Sequence, residues 1–269
     1  MGKERIELEN LLNTRDLGGY VNKVGKKIKY KRLIRSGTLC KASENDIKTL
    51  CDEYDLKKIV DLRNKEEMWS EPDPSIEGVE HVWCPIFKQK DVSTITRQKR
   101  WDDSDPLGLY LFFADEMLSR GDETPWYYRS FVTDPNSIEY YQKLFNELLS
   151  QEEGATLWHC SAGKDRCGVG TVYLLKALGM DDELIYEDYL LTNYYYQDLT
   201  DRMIALAKER GLDPSFEKVV RLVNGIEKRY LDTLYATCEE LYGSMEAFLE
   251  KALGLTPEKI DRLKDLYLE

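Results

Sequence analysis

HCSAGKDRCG, residues 159–168, lies between an apolar run at 155–158 and a helical pattern that begins at Val169. A strand, a tight loop and a helix N-terminus are therefore adjacent. Cys160 and Arg166 bracket five residues, so backbone N–H groups and one guanidinium converge above the sulfur if the loop curls. Such a cradle fits a tetrahedral oxyanion.

The chemistry of this loop points to phosphoryl transfer. The helix N-terminus and Arg166 both favour a thiolate at Cys160, and a thiolate that faces a bound phosphate is a nucleophile. We therefore predict that Cys160 attacks phosphorus while Arg166 binds the substrate and stabilises its equatorial oxygens. The predicted substrate contacts come from the rest of the loop: Ser161, Ala162, Gly163 and Lys164.

Two other loop chemistries fail on spacing. A nucleotide-binding loop needs glycine where Trp158 stands, and serine or threonine where Asp165 stands. A zinc site wants cysteines two to four residues apart, whereas Cys160 and Cys167 are seven apart and the chain has two histidines. We predict no metal and no cofactor. A buried structural cysteine beside a helix cap is the remaining alternative.

The net charge and composition of the chain limit the partners, compartment and domain number that we expect. A net charge of −12 argues against nucleic acid or anionic membrane as a partner. The N-terminus has no apolar signal core, and no apolar run is long enough for a transmembrane segment. Six scattered cysteines suit a reducing compartment, so we expect a cytoplasmic protein, with export by an unrecognised route left open. No Pro/Gly/Ser-rich linker divides the chain, which predicts a single domain over residues 1–269.

Alternating strand and helix patterns predict an α/β fold. Residues 29–35 and 57–62 read as strands around a helix with Ser43 as its N-cap, and 80–85 and 155–158 as two more strands. Helical periodicity covers 107–119, 137–150, 169–178, 182–210 and 216–242, and a last helix begins at Pro257. The expected architecture is a central, mainly parallel sheet flanked by helices, with extra C-terminal helices. Tyrosines 194–196 suggest a helical lid within 182–242, although core packing would explain them equally.

Several residues could support the loop. Asp61 and Arg63 follow a strand end, from which they could reach the loop; alternatively they pair with Glu66 or Glu67 and only fix the turn. His159 either holds the loop and biases the thiolate or is an ordinary buried histidine. An Arg-Asp pair at 15–16 either packs near the site or is structural.

The loop also carries a family resemblance. Residues 159–166 match the His-Cys-x5-Arg signature of cysteine-dependent phosphatases, and AGKDR resembles the bacterial tyrosine phosphatases of the mycobacterial phosphatase B and lipid phosphatase A type. Four other segments look like that family's landmarks, in its order: NTRDLGG at 13–19, RSGTL at 35–39, VDLR at 60–63 and DYLLTN at 188–193. The resemblance covers about residues 10 to 268.

The resemblance implies a tyrosine-phosphatase-like fold and a hydrolase that forms a phosphocysteine intermediate. The expected substrate is phosphotyrosine, with phosphoserine, phosphothreonine and phosphoinositides as further candidates and inorganic phosphate as product. A catalytically weak module that binds phosphorylated ligands is the alternative.

The general acid cannot occupy the position it has in the common eukaryotic enzymes, whose acid is an aspartate in a Trp-Pro-Asp loop. Here Trp83-Cys84-Pro85 lacks that aspartate. Asp165 is therefore the candidate that protonates the leaving group, as the resemblance also implies. The alternatives lie in a polar stretch that could form a flap: Asp102, Asp103 and Asp105.

Lys164 and Cys167 bear on specificity and rate. Lys164 would add a positive charge at the rim, where phosphatases acting on phosphoinositides also carry a lysine, or it could simply face solvent. Cys167 replaces the family's usual serine or threonine, whose hydroxyl eases breakdown of the phosphoenzyme. A thiol is a weaker donor, so we predict slow dephosphorylation, or alternatively a protective disulfide with oxidised Cys160.

Overall fold

A five-stranded sheet forms the centre of the computed structural model, which describes residues 5–87, 104–120 and 124–269. The strands are β1 (Arg15–Asp16), β2 (Leu33–Ser36), β3 (Leu56–Asp61), β4 (Glu80–Trp83) and β5 (Ala155–His159). Their order is β1-β2-β5-β3-β4, and β1 alone among them pairs antiparallel. The predicted mainly parallel α/β sheet is confirmed.

The central position of β5 determines where the loop emerges. All its residues are buried, and it pairs in parallel with β2 on one side and β3 on the other. His159 lies opposite Ser36 and Asp61, so three strands end together at the edge where the loop begins. Ligand sites of parallel sheets gather at this carboxyl edge.

Several helices of the described chain precede the loop. They are α1 (Glu44–Lys48), α2 (Lys65–Ser70), α3 (Gly108–Arg120), α4 (Thr124–Thr133) and α5 (Pro135–Ser150). Ser43 caps α1 as predicted, and a π-helical turn at Thr49–Glu53 continues it. The carboxylate of Asp134 accepts from the amides of Asn136 and Ser137, so α5 begins earlier than predicted.

The helices after the loop are α6 (Arg166–Ala177), α7 (Asp182–Tyr195), α8 (Gln197–Glu209), α9 (Phe216–Asn224), α10 (Lys228–Tyr242), α11 (Met245–Lys251) and α12 (Pro257–Tyr267). Two predicted long helices are each divided, so those boundaries were wrong. The first breaks at Tyr196, and the second at Gly225, whose backbone is extended. A Cβ on Gly225 would lie 2.5 Å from the Arg221 carbonyl oxygen, which explains the glycine at this break.

Alternate residues of the strands face two apolar layers. Leu33, Val60 and Trp158 contribute to the larger layer, with side chains of α5, α6, α10 and α12. Their neighbours Ile34, Ile59 and Leu157 face a smaller layer that includes Leu50 and Leu39. The strand that leads into Cys160 is therefore buried on both faces, which fixes its position.

The tyrosines at 194–196 divide between surface and interior. Tyr194 is 71% exposed, whereas Tyr196 is buried. The lid within 182–242 stays a prediction. None of the described helices has the length and apolar character needed to cross a membrane.

Candidate active site

The loop begins at Cys160, directly after β5, and ends where α6 starts at Arg166. Cys160 is 2% exposed, so its sulfur lies at the bottom of the site. Its position between a buried strand and a buried helix follows from the apolar runs on either side.

The carbonyl oxygens of the loop are held by neighbouring elements. Thr38 N donates to Ser161 O (3.0 Å) and the Tyr196 hydroxyl to Ala162 O (2.9 Å). Asn13 Nδ2 donates to Ala162 O (3.2 Å) and Gly163 O (2.9 Å), and Arg35 Nη2 donates to Gly163 O at 2.8 Å. Within the described residues, no group accepts from the amides of residues 161–165. These amides are therefore the donors available to an anion.

Gly163 is required by the turn itself. Its φ is +66°, which favours glycine. A Cβ there would lie 2.5 Å from Ser36 O and 2.6 Å from Gly37 N. The close approach of β2 to the loop leaves no room for a side chain.

A buried carboxylate binds Arg35, one of the residues that hold the loop carbonyl oxygens. Asp188 on α7 accepts from Arg15 Nε (2.9 Å), Arg35 Nη1 (2.7 Å) and the Tyr20 hydroxyl (2.9 Å). Burial acts to raise the pKa of Asp188, but Arg15 and Arg35 outweigh it and lower the pKa to about 2. The expectation that Arg15 packs near the site fits this arrangement, since Arg35 joins Asp188 to Gly163.

Arg166 pairs with a residue that the sequence did not single out for catalysis. Its Nη1 donates to Glu67 Oε2 at 2.6 Å and its Nη2 to Glu67 Oε1 at 2.8 Å. The Ser161 hydroxyl also donates to Glu67 Oε1, at 2.6 Å. Burial acts to raise the pKa of Glu67, but Arg166 and Ser161 lower it to about 2. Glu67 therefore forms hydrogen bonds with the loop, and its charge acts on Arg63 without a direct ion pair between these two described residues.

Asp61 and Arg63 fix the turn after β3, and Arg63 is linked to the loop through Thr38. Arg63 binds Asp61 through Nε (2.9 Å) and Nη2 (2.8 Å). Its Nη1 donates to Thr38 Oγ1 at 3.0 Å. Because the amide of Thr38 holds Ser161 O, the ion pair supports the loop through one intermediate residue.

His159 is buried between the loop and a carboxylate. Its Nε2 lies 2.9 Å from Asp73 Oδ2, and its Nδ1 lies 3.3 Å from Cys160 O. Burial acts to raise the pKa of Asp73, but His159 and then Arg63 lower it. Asp61, Asp73 and His159 bring possible metal-ligand atoms within 4.8 Å of one another, while Arg63 Nη2 lies within 3.0 Å of both carboxylates.

Asp165 lies at the N-cap of α6, yet its side chain makes no capping hydrogen bond. Instead its Oδ1 accepts from the Tyr128 hydroxyl at 2.7 Å. Among the alternative acids, Asp105 is paired with Arg210 (2.7 Å), and Asp102 and Asp103 lie outside the described residues. Asp165 thus lies at the end of the loop that Cys160 begins, with a tyrosine partner that sequence patterns did not reveal.

Lys164 turns towards the C-terminal end of α9. Its Nζ donates to the carbonyl oxygens of Val223 (2.8 Å), Gly225 (3.0 Å) and Leu222 (3.4 Å). A cation at a helix C-terminus interacts favourably with the unpaired carbonyls. The solvent-facing alternative for Lys164 is therefore wrong, and its charge is engaged by the α9–α10 connection.

Cys167 is fully buried on the first turn of α6. Its sulfur contacts Trp158 O at 3.5 Å, so the thiol hydrogen is directed to the strand. Burial raises the pKa of Cys167 to about 11, with the Arg35 charge opposing that rise. The side chain is therefore a neutral thiol at ordinary pH.

Comparison with known proteins finds a family profile and several relatives that match this chain. The profile of the tyrosine phosphatase family matches residues 6–269. A candidate tyrosine-protein phosphatase of Cupriavidus necator is 26% identical over 255 residues, covering 94% of this chain and 85% of that protein. The triple specificity protein phosphatase PtpB of Mycobacterium tuberculosis is 31% identical over 149 residues, 52% of this chain and 53% of that protein.

A third relative, a tyrosine-protein phosphatase of Nostoc commune, is 28% identical over 133 residues, 48% of this chain and 44% of its own length. The chain thus spans about half of these last two relatives and most of the first. The family profile covers nearly all of the sequence, including the loop and the residues that hold it. The chain belongs to the tyrosine phosphatase family.

Proposed function

We propose that the protein hydrolyses phosphotyrosine through a phosphocysteine intermediate. The observation that supports this most is the loop in which neighbouring elements hold the carbonyl oxygens while the amides of residues 161–165 have no acceptor in the described protein. With Arg166 at its end, the loop offers a preorganised set of donors for the charge on a transferring phosphoryl group.

The proposed reaction has two steps. Cys160 Sγ forms a bond to phosphorus as the bond to the tyrosine oxygen breaks, and Asp165 gives its proton to that oxygen. Water then attacks the phosphocysteine, Asp165 takes the proton back, and inorganic phosphate leaves with the thiolate restored. Arg166 and the loop amides bind the equatorial oxygens throughout.

The depth of the site favours an aryl phosphate. Cys160 is only 2% exposed, so the phosphoryl group has to reach the bottom of the loop. The ring of phosphotyrosine spans that depth better than the short stem of phosphoserine or phosphothreonine. We therefore place phosphotyrosine first and these two substrates second.

Phosphoinositides receive less support. A lysine in this loop would serve them by binding a second phosphate, but Lys164 Nζ is held by three carbonyl oxygens. The Mycobacterium relative is named a triple specificity phosphatase, which keeps broader activity within the proposal. The kinship with the phosphatase B and lipid phosphatase A type is likewise proposed.

The test compares wild type with Cys160→Ser on a phosphotyrosine peptide, a phosphoserine peptide and a short-chain phosphoinositide. We expect phosphate release from the phosphotyrosine peptide to fall by about 10³-fold or more in the variant. Cys238→Ser is the matched control, because Cys238 is equally buried but contacts Met245 instead of the loop. Activity retained in Cys160→Ser would refute the nucleophile, and phosphate binding without turnover in wild type would favour the binding module.

A further inference from the structure

We propose that Tyr128 is a positioning residue for the general acid, holding Asp165 so that one carboxylate oxygen delivers the proton. This inference rests on the proposed function, in which Asp165 protonates the leaving oxygen. Tyr128 is on α4, which sequence periodicity did not predict, and its hydroxyl donates to Asp165 Oδ1 at 2.7 Å.

The two N-cap aspartates of α5 and α6 show that Asp165 is not in its usual role. Asp134, at the N-cap of α5, accepts from the amides of Asn136 and Ser137 at 2.7 and 3.1 Å. Asp165, in the same position on α6, accepts from neither equivalent amide. Aspartate at this position normally caps its helix. Asp165 has helical backbone angles, unlike the extended Asp134, so its carboxylate is turned away from these amides and accepts from Tyr128 instead.

Tyr128 is itself immobilised by aromatic packing. It is fully buried, stacks on Tyr230 with ring centroids 5.4 Å apart, and meets Phe131 edge-on at 5.4 Å. Burial, followed by the negative charge of Asp165, raises the pKa of Tyr128 well above its usual value. The hydroxyl thus remains protonated and donates to Oδ1 from a fixed position.

A fixed donor on Oδ1 assigns the transferable proton to Oδ2. Asp165 Oδ2 has no hydrogen bond to any described residue, and the closest described cation, Lys164 Nζ, lies 3.9 Å away. The proton on Oδ2 passes to the leaving oxygen, and Oδ2 takes one from the attacking water in the second step. Tyr128 touches no reacting atom and acts only through Asp165.

The test uses Tyr128→Phe with two aryl phosphates that differ in leaving group. Phenyl phosphate needs protonation of its leaving oxygen, whereas 2,4-dinitrophenyl phosphate releases a stable anion. We expect kcat/KM of the variant to fall about tenfold for phenyl phosphate, a part of what general acid catalysis supplies, and less than about twofold for dinitrophenyl phosphate. A loss of fold or of loop geometry would lower both equally, and that outcome overturns the proposal.

Two comparisons sharpen this test. Tyr173→Phe removes a buried hydroxyl that has no partner within the described residues and should leave both substrates unchanged. Tyr128→Phe in an Asp165→Asn background should cause no further loss, because the residues act as a unit; additive losses would overturn the proposal. Hydrolysis of dinitrophenyl phosphate by wild type and its absence in Cys160→Ser test the proposed function separately.

Discussion

Two buried arginine–carboxylate clusters flank the Cys160–Arg166 loop and differ in how exposed their arginines are. In the rear cluster, Asp188 holds Arg15 and Arg35, whose side chains are 0% exposed. In the front cluster, Glu67 holds Arg166, and these side chains are 15% and 11% exposed. Arg35 donates through Nη2 to the Gly163 carbonyl, and its Nε is buried without a partner among the described residues; Arg166 Nε likewise has no such hydrogen bond, but its side chain is partly exposed.

The same pairing chemistry therefore has two roles that depend on position. The rear cluster is closed and fixes the loop backbone, and the front cluster is open on the side where a phosphoryl group would lie. A carboxylate in the front cluster orients its arginine and at the same time reduces the positive charge offered to a ligand.

The largest expected effect is on the rear cluster. Asp188→Asn leaves Arg15 and Arg35 with reduced compensation in the core, so we expect the free energy of unfolding at pH 7 to fall by about 3–5 kcal/mol. Urea unfolding measures it. Asp181→Asn, at a site 61% exposed, is the control and should stay within about 0.5 kcal/mol of wild type. A loss below about 1 kcal/mol in Asp188→Asn would mean that this cluster does not hold the fold.

The front cluster should affect how the free energy of unfolding changes at acidic pH. The folded-state pKa of Glu67, about 2, is below the ordinary value of 4.5, so ionised Glu67 stabilises the fold above about pH 4.5. This contribution, about 3 kcal/mol, is lost as the pH falls towards 2. Wild type should therefore lose about that much more stability than Glu67→Gln between pH 5 and pH 2, measured by urea unfolding at each pH.

Activity distinguishes the orienting role of Glu67 from its role in stability. We expect kcat of Glu67→Gln on a phosphotyrosine peptide to fall about tenfold at neutral pH, because Arg166 loses its bidentate carboxylate partner. Glu71→Gln, an exposed change at the end of the same helix, should match wild type in both measurements. Unchanged kcat in Glu67→Gln would make the front cluster as purely structural as the rear one.

The smallest effect concerns Cys167, which lies next to the rear cluster and feels the charge of Arg35. Its thiol contacts Trp158 O, so it offers the phosphoenzyme little help. Cys167→Thr should raise kcat about threefold, some 0.6 kcal/mol in the barrier, and lower the accumulated phosphoenzyme in rapid-quench experiments. If Cys167→Ala gives the same rise, the hydroxyl is irrelevant and the slow-dephosphorylation hypothesis fails.

Local patterns predicted the sheet, the loop and most helices because hydrophobic period and capping residues are short-range signals. The pairing of Glu67 with the loop was not predicted, since Ser161 is 94 residues away and Asn64-x-x-Glu67 is a capping box that already explains the glutamate locally. Asp73 and Tyr128 were missed for the same reason: single polar residues far along the chain carry no period. Lys164 was placed in the right loop, but its direction depends on where α9 ends.

The outer contacts of the loop join distant parts of the chain. Asn13 and Gly163 are 150 residues apart in sequence, and Arg15 and Asp188 are 173 apart. Contacts of such separation close large loops and form slowly during folding. A nascent chain whose Asp188 is still inside the ribosome already contains Cys160 and Arg166, yet it lacks the ion pairs that shape the loop around them. We expect phosphate binding to appear with the last folding phase, after synthesis has passed α7.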